Sequence, residues 1–217
     1  MSRPVIFGAA ALALLLVVVA LRISDSSAPE RPFEPGTQLP QAAPLCPWRE
    51  PASDLKRFFP SATRSEPETR ILSGQRLELA ERLGRVPTGD ENALHLYRSY
   101  EDQTPLGVVL TRRVKGAYGA IELVLAVGTN GQVRGLRLQR LREPEPIATA
   151  LQNPNWLHSF DGQRADSSWK LGRDIPSVLP EASISAEAIV DGVRSLLILL
   201  ATSDPSHTQN PVVARHH

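Results

Sequence analysis

The chain has 217 residues, 41% of them hydrophobic, with 24 basic against 23 acidic side chains and a formal net charge of +1. That length suffices for one core of about 100–150 residues with segments to spare, and the balanced charge gives no sign of a nucleic-acid binder, which usually shows a clustered basic excess. A single cysteine, Cys46, excludes an intrachain disulfide and the multi-cysteine signatures of haem, iron–sulfur and zinc sites, so no metal ligand is assigned.

Taken in chain order, the first element is PVIFGAAALALLLVVVAL, Pro4–Leu21, uncharged and bounded by Arg3 and Arg22. As a helix it reaches about 27 Å, close to the thickness of a bilayer core. Two readings compete: an uncleaved anchor over residues 1–22, and a signal peptide cleaved near Ala28. The length of the apolar run and the lack of an A-x-A site directly after it favour the anchor. Arg3 and the terminal amine favour a cytoplasmic N-terminus, with Arg22 and Arg31 pulling the other way. The expectation is a single-pass protein of the cytoplasmic membrane, its C-terminal domain on the periplasmic side.

Residues 23–53 are proline-rich and without periodicity, as a linker would be. The folded domain is expected over 54–203, and 204–217, ending in His216 and His217, as a disordered tail. Asp54 is placed as N-cap of a short helix through LKRFF that stops before Pro60. Leu77, Ala80 and Leu83 mark a second helix over 74–84, terminated by Gly84. ALHLYRSYE (93–101) and PLGVVLTRRV (105–114) read as paired strands. The segment 120–141 reads as a hairpin: Ile121, Leu123, Leu125 and Val127 alternate, Asn130-Gly131 turns the chain, and a slip at Gly135 suggests a bulge. Residues 146–169 are helical or irregular, with Trp156, Phe160 and Trp169 as core or rim aromatics and Gly162 and Gly172 as turn formers.

The last element is an apolar helix, roughly 185–201, with Glu187, Asp191, Arg194 and Ser195 spaced for a solvated face. Asp191 and Arg194 leave only LLILLA uninterrupted, too short to span a membrane, so the helix is expected to cover a sheet. The fold class is α+β: one antiparallel sheet packed by helices. Ser183 and Ser185 precede this helix, and each is either a capping hydroxyl or an oxygen offered to a phosphate. His158 stands alone, and there is no Ser-His-Asp order, paired-carboxylate site, HExxH or P-loop. No catalytic residue is assigned, and whether the chain is an enzyme stays open.

The order FFP, LYRSYE, GVVLTRR, KGAYGAIELVLAVGTNGQVRGLRL, WLHSFDGQ and AIVDGVRSLL over residues 54–201 resembles the FMN-binding domain of the G subunit of Rnf electron-transport complexes. It is similar also to the C subunit of the sodium-pumping NADH:quinone reductase. The resemblance implies an exported domain on an N-terminal anchor, working with membrane redox subunits. It also implies FMN joined by a phosphoester to the threonine of a Ser-Gly-Ala-Thr loop, a bond made by a flavin transferase.

Anchored on AIVDGV (188–193), that loop falls on Pro180, Glu181, Ala182 and Ser183, so Ser183 matches the accepting threonine and Ala182 matches the alanine. Gly116, Tyr118, Gly119 and Ile121 match the family's Gly-x-aromatic-Gly-x-Ile segment, which lies near the flavin, and Tyr118 is either a stacking residue or sheet-edge filler. Glu143 matches the first residue of the family's Glu-Thr-Pro-Gly, and Ser185 is a further hydroxyl beside the loop. The departures are Pro180 and Glu181, in place of serine and glycine, and Glu145-Pro146 after Glu143-Pro144. They leave three forms open: FMN bound covalently through Ser183, FMN bound without a covalent link, and a flavin-free assembly or sensory subunit. The expected role is an electron-transfer module rather than a self-sufficient enzyme.

Overall fold

A computed structural model describes residues 50–204. The expected anchor, the linker up to residue 49 and the tail from residue 205 lie outside the described residues. The elements are α1 (Ala52–Phe58), β1 (Arg64–Ile71), α2 (Arg76–Leu83), β2 (Ala93–Glu101), β3 (Thr104–Lys115), β4 (Ala120–Gly128), β5 (Val133–Leu141), α3 (Glu145–Leu151), α4 (Pro154–His158) and α5 (Ser183–Ser203). The strands form one antiparallel sheet in sequential order β1-β2-β3-β4-β5. The α+β architecture is therefore as the residue pattern implies.

The β2–β3 and β4–β5 hairpins form where the apolar alternation and turn residues put them. Gly131 turns the second at φ 76°, with its N–H donating to Gly128 O at 3.0 Å. The register slips twice along β5: Val127 faces Val133 while Ala126 faces Gly135, and Leu123 faces Leu138 while Glu122 faces Arg140. Arg134 and Gln139 are thus the extra residues of two bulges.

α5 lies across one face of the sheet, burying Ile189, Val193, Leu196 and Leu197 against Leu94, Leu110, Ile121, Leu123 and Leu125. α1 covers part of the other face, where Phe58 and Leu55 pack on Phe59, Val109, Val124 and Ala126. β4 is consequently buried on both faces, Glu122, Val124 and Ala126 included, and not alternately exposed as its odd-numbered residues alone suggest. Glu122, 1% exposed, is ion-paired at 2.6 Å to Arg113 on the neighbouring strand.

Several local expectations are corrected. α1 begins at Ala52, inside the expected linker, and Pro51 takes the N-cap position. Asp54 is instead a buried first-turn residue paired with Arg137 of β5 at 3.2 Å. In α2 the buried pair is Leu79 and Leu83, four apart, whereas Leu77 is 91% exposed. β1 is a strand that the residue pattern does not announce. RSEPETRI lacks an apolar alternation, and Pro67 is tolerated because β1 is an edge strand. Its ties are ionic: Glu68 pairs with Arg98 at 2.7 Å and Arg70 at 2.6 Å, and Asp204 pairs with Arg98 at 2.7 Å. Ser195 does not join the solvated face of α5: it is fully buried and accepts from Arg112 at 2.7 Å. Among the described residues no helix is long and apolar enough to cross a membrane.

Candidate functional site

The head of α5 meets two loops, one joining β3 to β4 and one following β5. The first is closed by Gly116 N–H donating to Gly119 O at 2.8 Å. Gly116 has no room for a side chain, because a Cβ there would run into Glu143 Oε1 and stand 3.0 Å from Ser185 Oγ. Ser185 is fully buried at this junction. It accepts from Ala117 N–H at 2.8 Å and donates to Glu143 Oε1 at 3.0 Å. Tyr118 N–H also donates to Glu143 Oε1, at 3.4 Å. The structure thus brings together Gly116, Gly119, Tyr118, Glu143 and Ser185, which lie far apart in sequence.

This cluster is incomplete at one atom. Glu143 Oε2 is shielded from solvent and accepts no hydrogen bond among the described residues. Such an acceptor is costly to bury unless something donates to it. Tyr118 lies 66% exposed beside it, with Ile184 of α5 at 62%.

Ser183 is the first residue of α5 and only partly covered. Neither serine caps the helix: the N-cap position is Ala182, buried and without a side-chain bond, and the Ser183 hydroxyl donates to Pro180 O at 2.7 Å. Pro180–Ala182 form a tight 3-10 turn that leads straight into α5. That turn replaces the freer backbone a glycine at 181 would allow, and it already bonds the Ser183 N–H to Pro180 O.

One turn beyond Ser183, which does not itself line it, begins a cleft of about 600 Å³, lined on the helix side by Glu187, Val190, Asp191 and Arg194. Those positions follow Ser183 at helical spacings of four, seven, eight and eleven, so Ser183 heads the helix face that walls the cleft. At 1.5 Å per residue, Glu187 lies about 6 Å and Arg194 about 16 Å further along the axis. The opposite wall is the loop with Trp169 and Lys170. Asp174 holds that loop by accepting from Lys170 N–H at 3.0 Å and Ser168 Oγ at 2.7 Å. The Arg173 guanidinium, with these bonds, keeps the Asp174 carboxyl at about 2, below its usual range. Trp169 packs on Phe160 with ring centroids 6.4 Å apart. Trp156 meets Phe160 edge-on and donates through Nε1 to Pro176 O at 2.9 Å.

Trp169 and Lys170 join the site only through the fold. The spacing of Arg194 from Ser183 is a signal the sequence does carry, while Trp169 and Lys170 sit in a loop without periodicity. Among the described residues no cluster of His, Cys, Asp and Glu is arranged to hold a metal ion.

No protein-family model matches the sequence, and no curated protein matches it significantly. Among solved structures, NqrC of Shewanella oneidensis resembles the chain weakly, with TM-score 0.45 and 15% identity, over 68% of this chain and 88% of that one. The C subunit of the Na(+)-translocating NADH-quinone reductase of Parabacteroides distasonis has TM-score 0.49 and 12% identity, over 75% and 87%.

The site's own residues fit a flavin phosphate in two respects. Ser183 carries a partly exposed hydroxyl, and the cleft further along its helix face has room and an aromatic wall, whereas Ser185 and the Glu143 it bonds lie about 200° around the helix from Ser183. One respect opposes it: Glu181, exposed beside Ser183, puts a negative charge near a phosphate.

Proposed function

We propose that the chain is an FMN-binding electron-transfer module, anchored by residues 1–22 in the cytoplasmic membrane with its domain on the periplasmic side, and accessory to membrane redox subunits. The observation that carries this reading is that Ser183 stands one turn ahead of Glu187, the first residue of the α5 face lining the cleft. When bound, FMN supplies the redox chemistry. The chain's own part is to hold and surround it. Ser183 Oγ is the proposed point of phosphoester attachment, made by a flavin transferase. Ser185 and the Gly116–Gly119 loop hold Glu143 and with it the head of α5 that carries Ser183. Trp169 and Lys170 bound the cleft from the far side and limit water access. A membrane tether raises the local concentration of the partner subunits.

A second reading, a flavin-free assembly or sensory subunit, is favoured by the turn at Pro180–Ala182 and by Glu181 beside the attachment position.

The test is expression of the full chain with a flavin transferase in an exporting bacterium, followed by denaturing electrophoresis, flavin fluorescence and peptide mass spectrometry. The proposal expects a flavin phosphate on the peptide holding Ser183, absent from Ser183→Ala. Folded, exported protein without covalent flavin would rule out the attachment. FMN released on denaturation would then leave non-covalent binding, and colourless protein would favour the second reading.

A further inference from the structure

β5 is the last strand of the sheet and pairs on one side only, with β4. Along its free edge, between α1 and α4, lies a second cleft of about 340 Å³ that shares no residue with the one along α5. Arg57, Arg134, Arg137 and His158 line it, and Asp161 is the one acid among its lining residues. Burial pushes the Asp161 carboxyl up, with His158 nearby acting against the shift. Phe58 and Leu157 supply an apolar wall.

This concentration of guanidinium groups is local, since the chain as a whole carries a formal charge of only +1. Two of the three arginines are held in place. Arg137 pairs through Nε with Asp54 at 3.2 Å, and Arg134 lies over the Phe59 ring at 5.3 Å. Arg134 is also the extra residue of a bulge, since Val133 and Gly135 face consecutive residues of β4. Arg57 is exposed and has no hydrogen bond or ion pair among the described residues.

We infer that this cleft binds a phosphate-bearing anion, with its charged end among Arg57, Arg134 and Arg137 and its carbon portion against Phe58 and Leu157. Guanidinium forks match phosphate oxygens in pairs, and pre-positioned ones lose less freedom on binding. The same chemistry would recognise an anionic phospholipid headgroup or a soluble phosphate ester. The inference does not depend on flavin at Ser183.

The experiment is calorimetric titration of purified full-length protein with three soluble probes: inorganic pyrophosphate, dihexanoyl phosphatidylglycerol and, as a zwitterionic control, dihexanoyl phosphatidylcholine. Saturable, salt-sensitive binding of pyrophosphate or phosphatidylglycerol is expected, weakened at least tenfold in Arg57→Gln/Arg134→Gln. Phosphatidylglycerol alone would assign a lipid headgroup, and pyrophosphate alone a soluble phosphate. Both substituted positions are exposed, and far-UV circular dichroism checks the fold. The single variant Arg57→Gln, at a side chain without a partner among the described residues, is expected to bind about threefold more weakly. No saturable binding of either anionic probe, equal binding of phosphatidylcholine, or undiminished affinity in the folded double variant would overturn the inference.

Discussion

Midway along α5 the charged groups are bound into a network, whereas at the helix head one carboxylate oxygen has no partner among the described residues. In the middle, Glu91 accepts from both ends of Arg85 at 2.8 Å and from Thr88 N–H at 2.7 Å, and it pairs with Arg112 at 3.0 Å. Arg85 continues to Asp191 at 2.9 Å, and Arg194 donates to the last carbonyls of α2, Leu83 O at 3.0 Å and Arg82 O at 3.2 Å. This network joins α2, β3 and α5, and its Asp191 and Arg194 also line the cleft. At the head, Ser185 and Tyr118 bond one oxygen of Glu143 and leave the other bare. The middle of the helix is held by charge pairs, and the head by neutral donors on one oxygen of Glu143.

The comparison breaks most forcefully at Glu91. Glu91→Gln leaves Arg112 without its counter-charge and Arg85 with Asp191 alone. It should cost about 3 kcal/mol in urea unfolding, the low end for breaking a buried pair because Arg85 stays partly exposed. Burial alone would raise the Glu91 carboxyl, but its bonds to Arg85 and Thr88 and the charge on Arg112 hold it at about 2, below its ordinary 4.5. A depressed carboxylate contributes stability above its unfolded value and loses it as pH falls through the folded one. The gap in urea midpoint between native protein and Glu91→Gln should therefore narrow steadily from pH 4.5 toward pH 2. A gap that widened on acidification would show that Glu91 is not the charge centre of the network.

At the head, Gly116→Ala forces a methyl into Glu143 and Ser185, an overpacking cost of about 2 kcal/mol, read as a lower thermal midpoint. Ser185→Ala leaves the Ala117 N–H without its acceptor and Glu143 Oε1 without its hydroxyl donor, for a loss of about 1 kcal/mol. Ser183→Ala removes only a partly exposed bond to Pro180 O and should fall within about 0.5 kcal/mol of the native protein. A destabilisation by Ser183→Ala as large as that by Ser185→Ala would erase the distinction between the two serines.

Much of this is legible in the residues. The alternation of Ile121, Leu123, Leu125 and Val127, the Asn130-Gly131 turn and the slip at Gly135 specify a hairpin from local chemistry alone. β1 is not legible, because Glu68 and Arg70 hold it through charge pairs with Arg98 and Asp204, and such pairs leave no apolar period. Leu77 misleads because helical spacing alone does not say which apolar stripe faces the core. Thr88 and Glu91 carry a readable signal, a threonine three residues before a glutamate, and they form a capping box around a 3-10 turn. At the site, Ser183 and Ser185 both stand out in the sequence, but their different surroundings depend on Glu143 and the Gly116 loop, which only the tertiary fold brings to α5.

The central claim is that Ser183 is arranged for a ligand and Ser185 for the fold. It is tested by producing native protein, Ser183→Ala and Ser185→Ala alongside a flavin transferase, then measuring covalent flavin fluorescence and thermal midpoint on each. The account predicts that Ser183→Ala loses the flavin and keeps its midpoint, while Ser185→Ala keeps the flavin and melts lower. Flavin retained in Ser183→Ala, or absent from all three folded proteins, would contradict it.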